Sequence, residues 1–274
     1  MTIDLTMALE RRLVNAWPAF EVELVEGWLL RFADGYSKRA NAATPIVPGA
    51  RLDPGLAEAI VASYEVRGLR PCFRLTGVEE AGTDEILAQA GLVEHDPSLA
   101  FAASLHAGQT LDPSIVLKPV PSAAWVIAAA AAYGGDKGDH DTLARILTLI
   151  RQPAAFATLS LDGEDAAWGF AVAERGYVGL YDIVVAPELR GLGLGRRLVA
   201  GLMSWGRASG AHTAYLQMRE SNEVAHALYH SLGFEPAYRY SHRVAAQERR
   251  PEGKAAKRAP KGVRKQARAG DGAA

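Results

Sequence analysis

Cysteine is almost absent from this chain of 274 residues, with Cys72 standing alone. A single thiol excludes an internal disulfide and suits a reducing compartment, so a cytoplasmic location is expected. Without a visible His or Asn partner arrangement, Cys72 reads as a small buried apolar side chain. Long apolar runs are missing as well. The most apolar stretch, Ala123 to Ala132, falls far short of the roughly 20 residues that a bilayer-spanning helix needs. It reads as a buried helix. Glu10, Arg11 and Arg12 interrupt the start of the chain, so neither a secretion signal nor a membrane partner is expected. No metal site is expected either.

Net charge is nearly absent too, at −1, but the balance hides an asymmetry. From Ala246 onward nine Lys or Arg face three acidic residues, which leaves the rest of the chain near −7. That tail, 247–274, carries prolines, glycines and few large apolar side chains, so disorder is expected. No aromatic residue interleaves its charges, which argues against stacking on nucleic acid and leaves weak polyanion contacts at most. The body of the chain is 49% hydrophobic in the whole-sequence count, enough to bury a large core across about two domains.

Residues 190–195, Arg-Gly-Leu-Gly-Leu-Gly, carry the strongest chemical signal. They follow a strand-like run, Tyr177 to Val185, and precede an amphipathic helix with Leu198, Val199, Leu202 and Trp205 on one face. Glycines let the backbone fold tightly and leave its N–H groups open to an anion. The helix start adds unpaired donors and the positive end of its dipole, and Arg190 and Arg196 add charge. Gly191, Gly193 and Gly195 alternate, which excludes the Gly-x-Gly-x-x-Gly dinucleotide fingerprint. Gly195-Arg196-Arg197 likewise excludes the Gly-Lys-Ser/Thr end of a P-loop.

The pattern Arg-x-x-Gly-x-Gly after Ile183-Val184-Val185-Ala186-Pro187 resembles the acetyl-coenzyme A motif of the GNAT N-acetyltransferases. A second segment strengthens the resemblance: the strand Tyr215-Leu-Gln-Met, then Asn222, then Tyr229 on a helix, then Gly233-Phe234. It spans roughly residues 115–245. The resemblance implies an acetyltransferase with acetyl-CoA as donor and a primary amine, small-molecule or peptide, as acceptor. Its implied coenzyme contacts are Ile183, Val184, Val185, Arg190, Gly191, Leu192, Gly193, Leu194, Gly195, Arg196 and Asn222. A main-chain N–H of Val184 or Val185 would polarise the thioester carbonyl. Tyr229 would be the general acid for the departing thiolate, and Asn222 can also cap its helix. A coenzyme-binding module without catalysis is the competing reading.

The chain also aligns with itself at an offset of about 142 residues. Pro45, Gly49, Gly68 and Gly91 fall on Pro187, Gly191, Gly210 and Gly233. The first copy lacks the chemistry: Pro48 stands opposite Arg190, Arg51 opposite Gly193, Asp53 opposite Gly195, Glu80 opposite Asn222 and Leu87 opposite Tyr229. This predicts a degenerate GNAT-like domain over 1–112, a GNAT domain over 113–246 and the basic tail. A fused pair of this kind is compatible with a monomer or a homodimer.

Periodicity predicts strands near 21–24 and 27–32, with 36–44 continuing the sheet, a helix over 56–64, a strand over 71–76 and a helix over 83–90. In the second half it predicts a strand over 116–120, helices over 122–133 and 141–150, a hairpin of 154–161 and 166–174 through Asp162-Gly163, and the strand leading to the glycines. The expected fold is a mixed α/β sheet flanked by helices, of GNAT-like order, with ligand at the ends of the central parallel strands. Lys38 and Arg39 read as a charge pair on an exposed strand face rather than cleft residues. No general base emerges. Asp182 and Glu174 lie on strands near the expected cleft, with His212, His226 and His230 nearby in sequence, and an ordered water is the other option.

Overall fold

The computed structural model describes residues 3–106, 111–131 and 137–246. The basic tail and the last residues of the predicted 122–133 helix lie outside the described residues. The first half runs α1 (Ile3–Ala16), β1 (Glu21–Val25), β2 (Trp28–Phe32), a 3₁₀ turn (Lys38–Ala40), β3 (Thr44–Pro45), α2 (Pro54–Glu65), β4 (Cys72–Leu75), α3 (Thr83–Gln89) and β5 (Leu92–Ser104). The second half runs β6 (Ile115–Lys118), α4 (Ala123–Ala131), α5 (Lys137–Thr148), β7 (Ala154–Leu161), β8 (Glu164–Glu174), β9 (Tyr177–Val185), α6 (Leu194–Ala208), β10 (Thr213–Arg219), α7 (Glu223–His230) and β11 (Glu235–Ala245).

Eight strands form one mixed sheet in the order β4-β11-β5-β10-β9-β8-β7-β6, and β1-β2-β3 form a small separate sheet. The halves share strands. β5, from the first half, lies antiparallel between β10 and β11, while β11, from the second, lies between β5 and β4. Exchanging β4 for β10 and β11 for β5 reproduces the same local order. The glycine pairs of the internal alignment also share backbone conformation: Gly49 and Gly191 have φ of 70° and 82°, Gly68 and Gly210 65° and 87°, Gly91 and Gly233 83° and 83°.

Apolar side chains cover both faces of the sheet. Leu9, Leu13 and Trp17 of the α1 region pack with Trp125, Phe156 and Phe170 on one side; Leu198, Val199 and Leu202 of α6 pack with Leu180 and Leu216 on the other. Three elements differ from expectation, the first being β5, where no strand was expected. Of residues 36–44 only Thr44 continues the small sheet, as the start of β3 opposite Leu29; before it Asn41 folds the chain into a turn, accepting from the N–H groups of Ala33 and Gly35 and donating to the Tyr36 and Ser37 carbonyls. The helix α1 was not anticipated, because Glu10 occupies a buried position on its otherwise apolar face. Cys72 is buried beside Ala42 and Val244, and burial pushes its thiol up to about 12.

Candidate active site

Strands β9 and β10 are parallel neighbours, but they pair only from Thr213–Tyr177 to Tyr215–Gly179. Beyond Gly179 they diverge. On the other side of β9 the register with β8 skips from Trp168–Val184 to Phe170–Tyr181, so Asp182 and Ile183 together face Gly169. This bulge holds Asp182 at φ 47°, a left-handed conformation that Asp tolerates better than most residues. The divergence opens into a cavity of about 650 Å³. The sheet supplies its floor; Trp17 and the turn from Tyr36 to Arg39 supply the opposing wall.

Three of the residues implied by the resemblance meet in this cavity, namely Ile183, Asn222 and Tyr229. Asn222 caps α7 by accepting from the Ala225 N–H at 3.1 Å. Tyr229 is buried, and its hydroxyl bonds no other described residue. Burial pushes its phenol up to about 12 against the opposing effect of Arg39, so it keeps its proton at neutral pH. Val184 and Val185 complete β9 beyond the bulge.

The glycine turn sits at the end of β9, between that strand and α6. Gly191 and Gly193 adopt φ of 82° and 76°, and Gly193 caps α6 without any side-chain bond. Among the described residues, no N–H from Gly191 to Arg196 donates to a backbone carbonyl; the first to do so is Arg197, to Gly193 at 3.1 Å. Six consecutive donors are therefore without a backbone partner at one helix end, where an anion can be held. A Cβ on Gly195 would meet Leu228 at 3.2 Å and Val185 at 3.5 Å, so this glycine lets α6 approach α7 and β9. Leu194 is buried in the core, which leaves only its main chain for a ligand, while Leu192 is exposed. Arg190 and Arg196 are exposed beside the turn, reaching the Val185 carbonyl and the Ser231 hydroxyl at 3.4 Å each.

Of the groups weighed as a base, Asp182 alone lines the cavity, 4% exposed and 3.5 Å from Arg39. Glu174 is held at the opposite end of β8 by Asn15, at 3.1 Å. His212 packs against Tyr177 at that same end, while His226 and His230 are exposed on α7. Lys38 and Arg39 line the cavity rather than an exposed strand, because the turn folds them over the sheet. Sequence reasoning missed Arg74, Asp96, Tyr240 and His242, which also line it. Asp96 arrives through a second bulge: β5 passes Asp96 and Pro97 while β11 passes only Ser241, and Lys38 meets the Asp96 carboxylate at 2.6 Å. Beside the cavity, Arg74 donates to both oxygens of Glu10 at 2.8 and 2.7 Å, and Tyr238 and Gln217 also bond Glu10. Burial works to raise the Glu10 pKa, but Arg74 and these bonds hold it below the ordinary value.

The family model described as "Probable histone acetyltransferase Rv0428c C-terminal" matches residues 6–243. The chain belongs to this family. A similar relative, the "Uncharacterized N-acetyltransferase YobR" of Bacillus subtilis (strain 168), is 27% identical over 241 residues, 86% of this chain and 97% of that protein. A GCN5-related N-acetyltransferase from Kribbella flavida has the same fold, with a TM-score of 0.64 at 18% identity over 89% of this chain and 96% of that one. So does a tandem GNAT protein from the clavulanic acid biosynthesis pathway, at TM-score 0.55 and 15% identity, over 81% and 78% of the two chains. The family member described here is thus an acyltransferase of mixed α/β GNAT fold. Among its described residues no helix is long and apolar enough to cross a membrane.

Proposed function

We propose that the chain transfers an acetyl group from acetyl-CoA to a primary amine by direct attack. The observation that carries this reading is the run of open N–H groups from Gly191 to Arg196, between the end of β9 and the start of α6. Those donors suit the coenzyme diphosphate, with Arg190 and Arg196 beside it. The unpaired edge of β9 from Tyr181 to Val185 suits the amide groups of the pantetheine arm in the manner of an added strand. The thioester then lies near Tyr229 and Asn222.

In the reaction the neutral amine nitrogen attacks the thioester carbonyl, whose oxygen gains charge beside the N–H groups of Val184 or Val185. The C–S bond breaks as the C–N bond is completed. The departing sulfur takes the Tyr229 hydroxyl proton, and the amine sheds its own to water or a nearby acceptor. A phenol held at about 12 is protonated across the physiological range. The first half acts as a degenerate copy that shapes the acceptor side: Trp17, Tyr36, Arg39, Arg74 and Asp96 all come from it.

Thiol release from acetyl-CoA across an amine panel tests the reading. Tyr229→Phe should lower turnover by roughly 10²-fold or more with coenzyme affinity retained. Tight coenzyme binding with no amine acetylated would favour a binding module instead.

A further inference from the structure

We propose that the acceptor is a small primary amine bearing a carboxylate, which Arg74 and His242 receive at the end of the cavity opposite the glycine turn. The position of the amine rests on the acetyl-transfer reading above; the carboxylate site stands on its own observations. The cavity crosses the sheet from β9 to β4, touching Asp182, Gln217, Ser98, His242 and Arg74 in strand order. With strands about 4.8 Å apart, the β9–β10 divergence and β11 are separated by roughly 12 Å. Side chains reaching in from both ends leave room for a few bonds between an amine and an acid.

The polar groups at the two ends are complementary to such a molecule. Arg74 and His242 are 0% and 5% exposed, yet Arg74 Nη1 and both nitrogens of His242 have no hydrogen-bond partner among the described residues. Buried donors are rarely left so, since each forfeits its hydration without return. Burial, then Arg74, hold the His242 imidazole neutral, so it offers one N–H. That N–H and the guanidinium Nη1 supply donors for the two oxygens of a carboxylate. Nearer the divergence, the Gln217 Oε1 is also buried without a partner and is an acceptor, suited to an amine N–H.

Charge points the same way. Beside the cavity lie two buried guanidinium groups: Arg74 pairs with the carboxylate of Glu10, while Arg31 donates to the Trp17 carbonyl and feels Glu10 only through space. Arg31 is lowered to about 10 by burial and by Arg74, but remains charged at neutral pH. Around the cavity Lys38, Arg39 and Arg219 face Asp96 and Asp182. The balance is cationic, which favours an acid and opposes the clustered ammonium groups of a lysine-rich peptide.

The test uses the full chain and a series of ω-amino acids from glycine to 6-aminohexanoate, each against its own carboxamide, with thiol release as the readout. One acid at least should exceed its amide tenfold in kcat/KM. His242→Leu removes two unsatisfied polar atoms, so the protein should fold at least as well, while the acid-to-amide ratio falls toward one; His242→Asn, which keeps a donor, should restore part of it. Equal turnover of acids and amides would overturn the assignment, as would a ratio untouched by His242→Leu. So would faster acetylation of a lysine-rich peptide, or of an amine phosphate, than of every acid. Coenzyme A binding with no acid turned over would also sink it, leaving the cradle intact. Absence of coenzyme binding would instead overturn the transferase reading. Direct calorimetric titration of the acids and amides, with and without coenzyme A, then decides the carboxylate site by whether the acids alone bind.

Discussion

Arg39 Nη1 stands 3.5 Å from Asp182 Oδ1, joining the turn after β2 to the bulge of β9. The carboxylate side chain is 2% exposed and the guanidinium side chain 27%. Taking away the cation leaves a buried anion short of compensation. Arg39→Leu should therefore cost about 2 kcal/mol, less than a fully buried pair would, because the guanidinium keeps contact with water. Asp182→Asn in the same background should recover more than half of that loss. Urea denaturation of the two single variants and the double variant gives the coupling, and a coupling near zero would show that the contact does not hold the bulge.

The shared strands make a prediction about folding. β5 fills the gap between β10 and β11, so a fragment of residues 113–246 would expose the facing edges of both. That fragment should aggregate when expressed alone, and adding residues 1–112 as a separate chain should recover soluble material. A monomeric fragment with a cooperative melt would overturn the view that β5 is required.

Much of this architecture was legible in the sequence where local chemistry and global fold agree. The hairpin through Asp162-Gly163, the strand before Gly191 and the helix after Gly193 carry clean periodicity and turn residues, and all three form as expected. Legibility failed where a polar residue takes a core position. Glu10 interrupts the apolar face of α1 because it is needed by Arg74, and Asp96 and Pro97 interrupt β5 with a bulge where no strand was expected. Arg74 and His242 were missed for a related reason: they lie far apart in sequence, and only the antiparallel pairing of β4 with β11 makes them neighbours. Tyr229 and Asn222 could be named together because they belong to one short segment, and both line the cavity.

The glycine pairs allow a controlled comparison. Gly191 and Gly49 both have positive φ, and an added Cβ meets nothing within 4 Å at either. Alanine at each should lose about 1 kcal/mol through backbone strain alone. Gly191→Ala should also weaken coenzyme A binding roughly tenfold, since one or two misdirected N–H donors are worth that much. Gly49→Ala should leave the affinity alone. Calorimetric titration of both variants checks this, and equal losses of affinity would count against a coenzyme site confined to the turn at Gly191.

His242 ties the proposed acceptor site to the pH dependence of stability. Its pKa in the folded chain is pushed well below 6.5 by burial and by Arg74, whereas in the unfolded chain it returns to the ordinary value. Below about pH 6.5 the unfolded chain takes up a proton that the folded chain refuses, so this residue's contribution is neutral above that pH and turns destabilising as the pH falls. Between pH 7.5 and 5.5 the loss from one such group is at most about 1.4 kcal/mol. Glu10 acts in a lower window: its folded pKa lies below 4.5, so its contribution is lost only as the pH drops beneath that value. Urea melts at pH 7.5 and 5.5 should therefore show a smaller difference for His242→Leu than for the unaltered protein, by up to about 1.4 kcal/mol. A saturating carboxylate acceptor should shrink the difference in the unaltered protein as well, because an anion beside the imidazole lets the folded state accept the proton. Identical pH dependence in the two proteins would mean that His242 already ionises in the fold, and would remove it as a neutral donor.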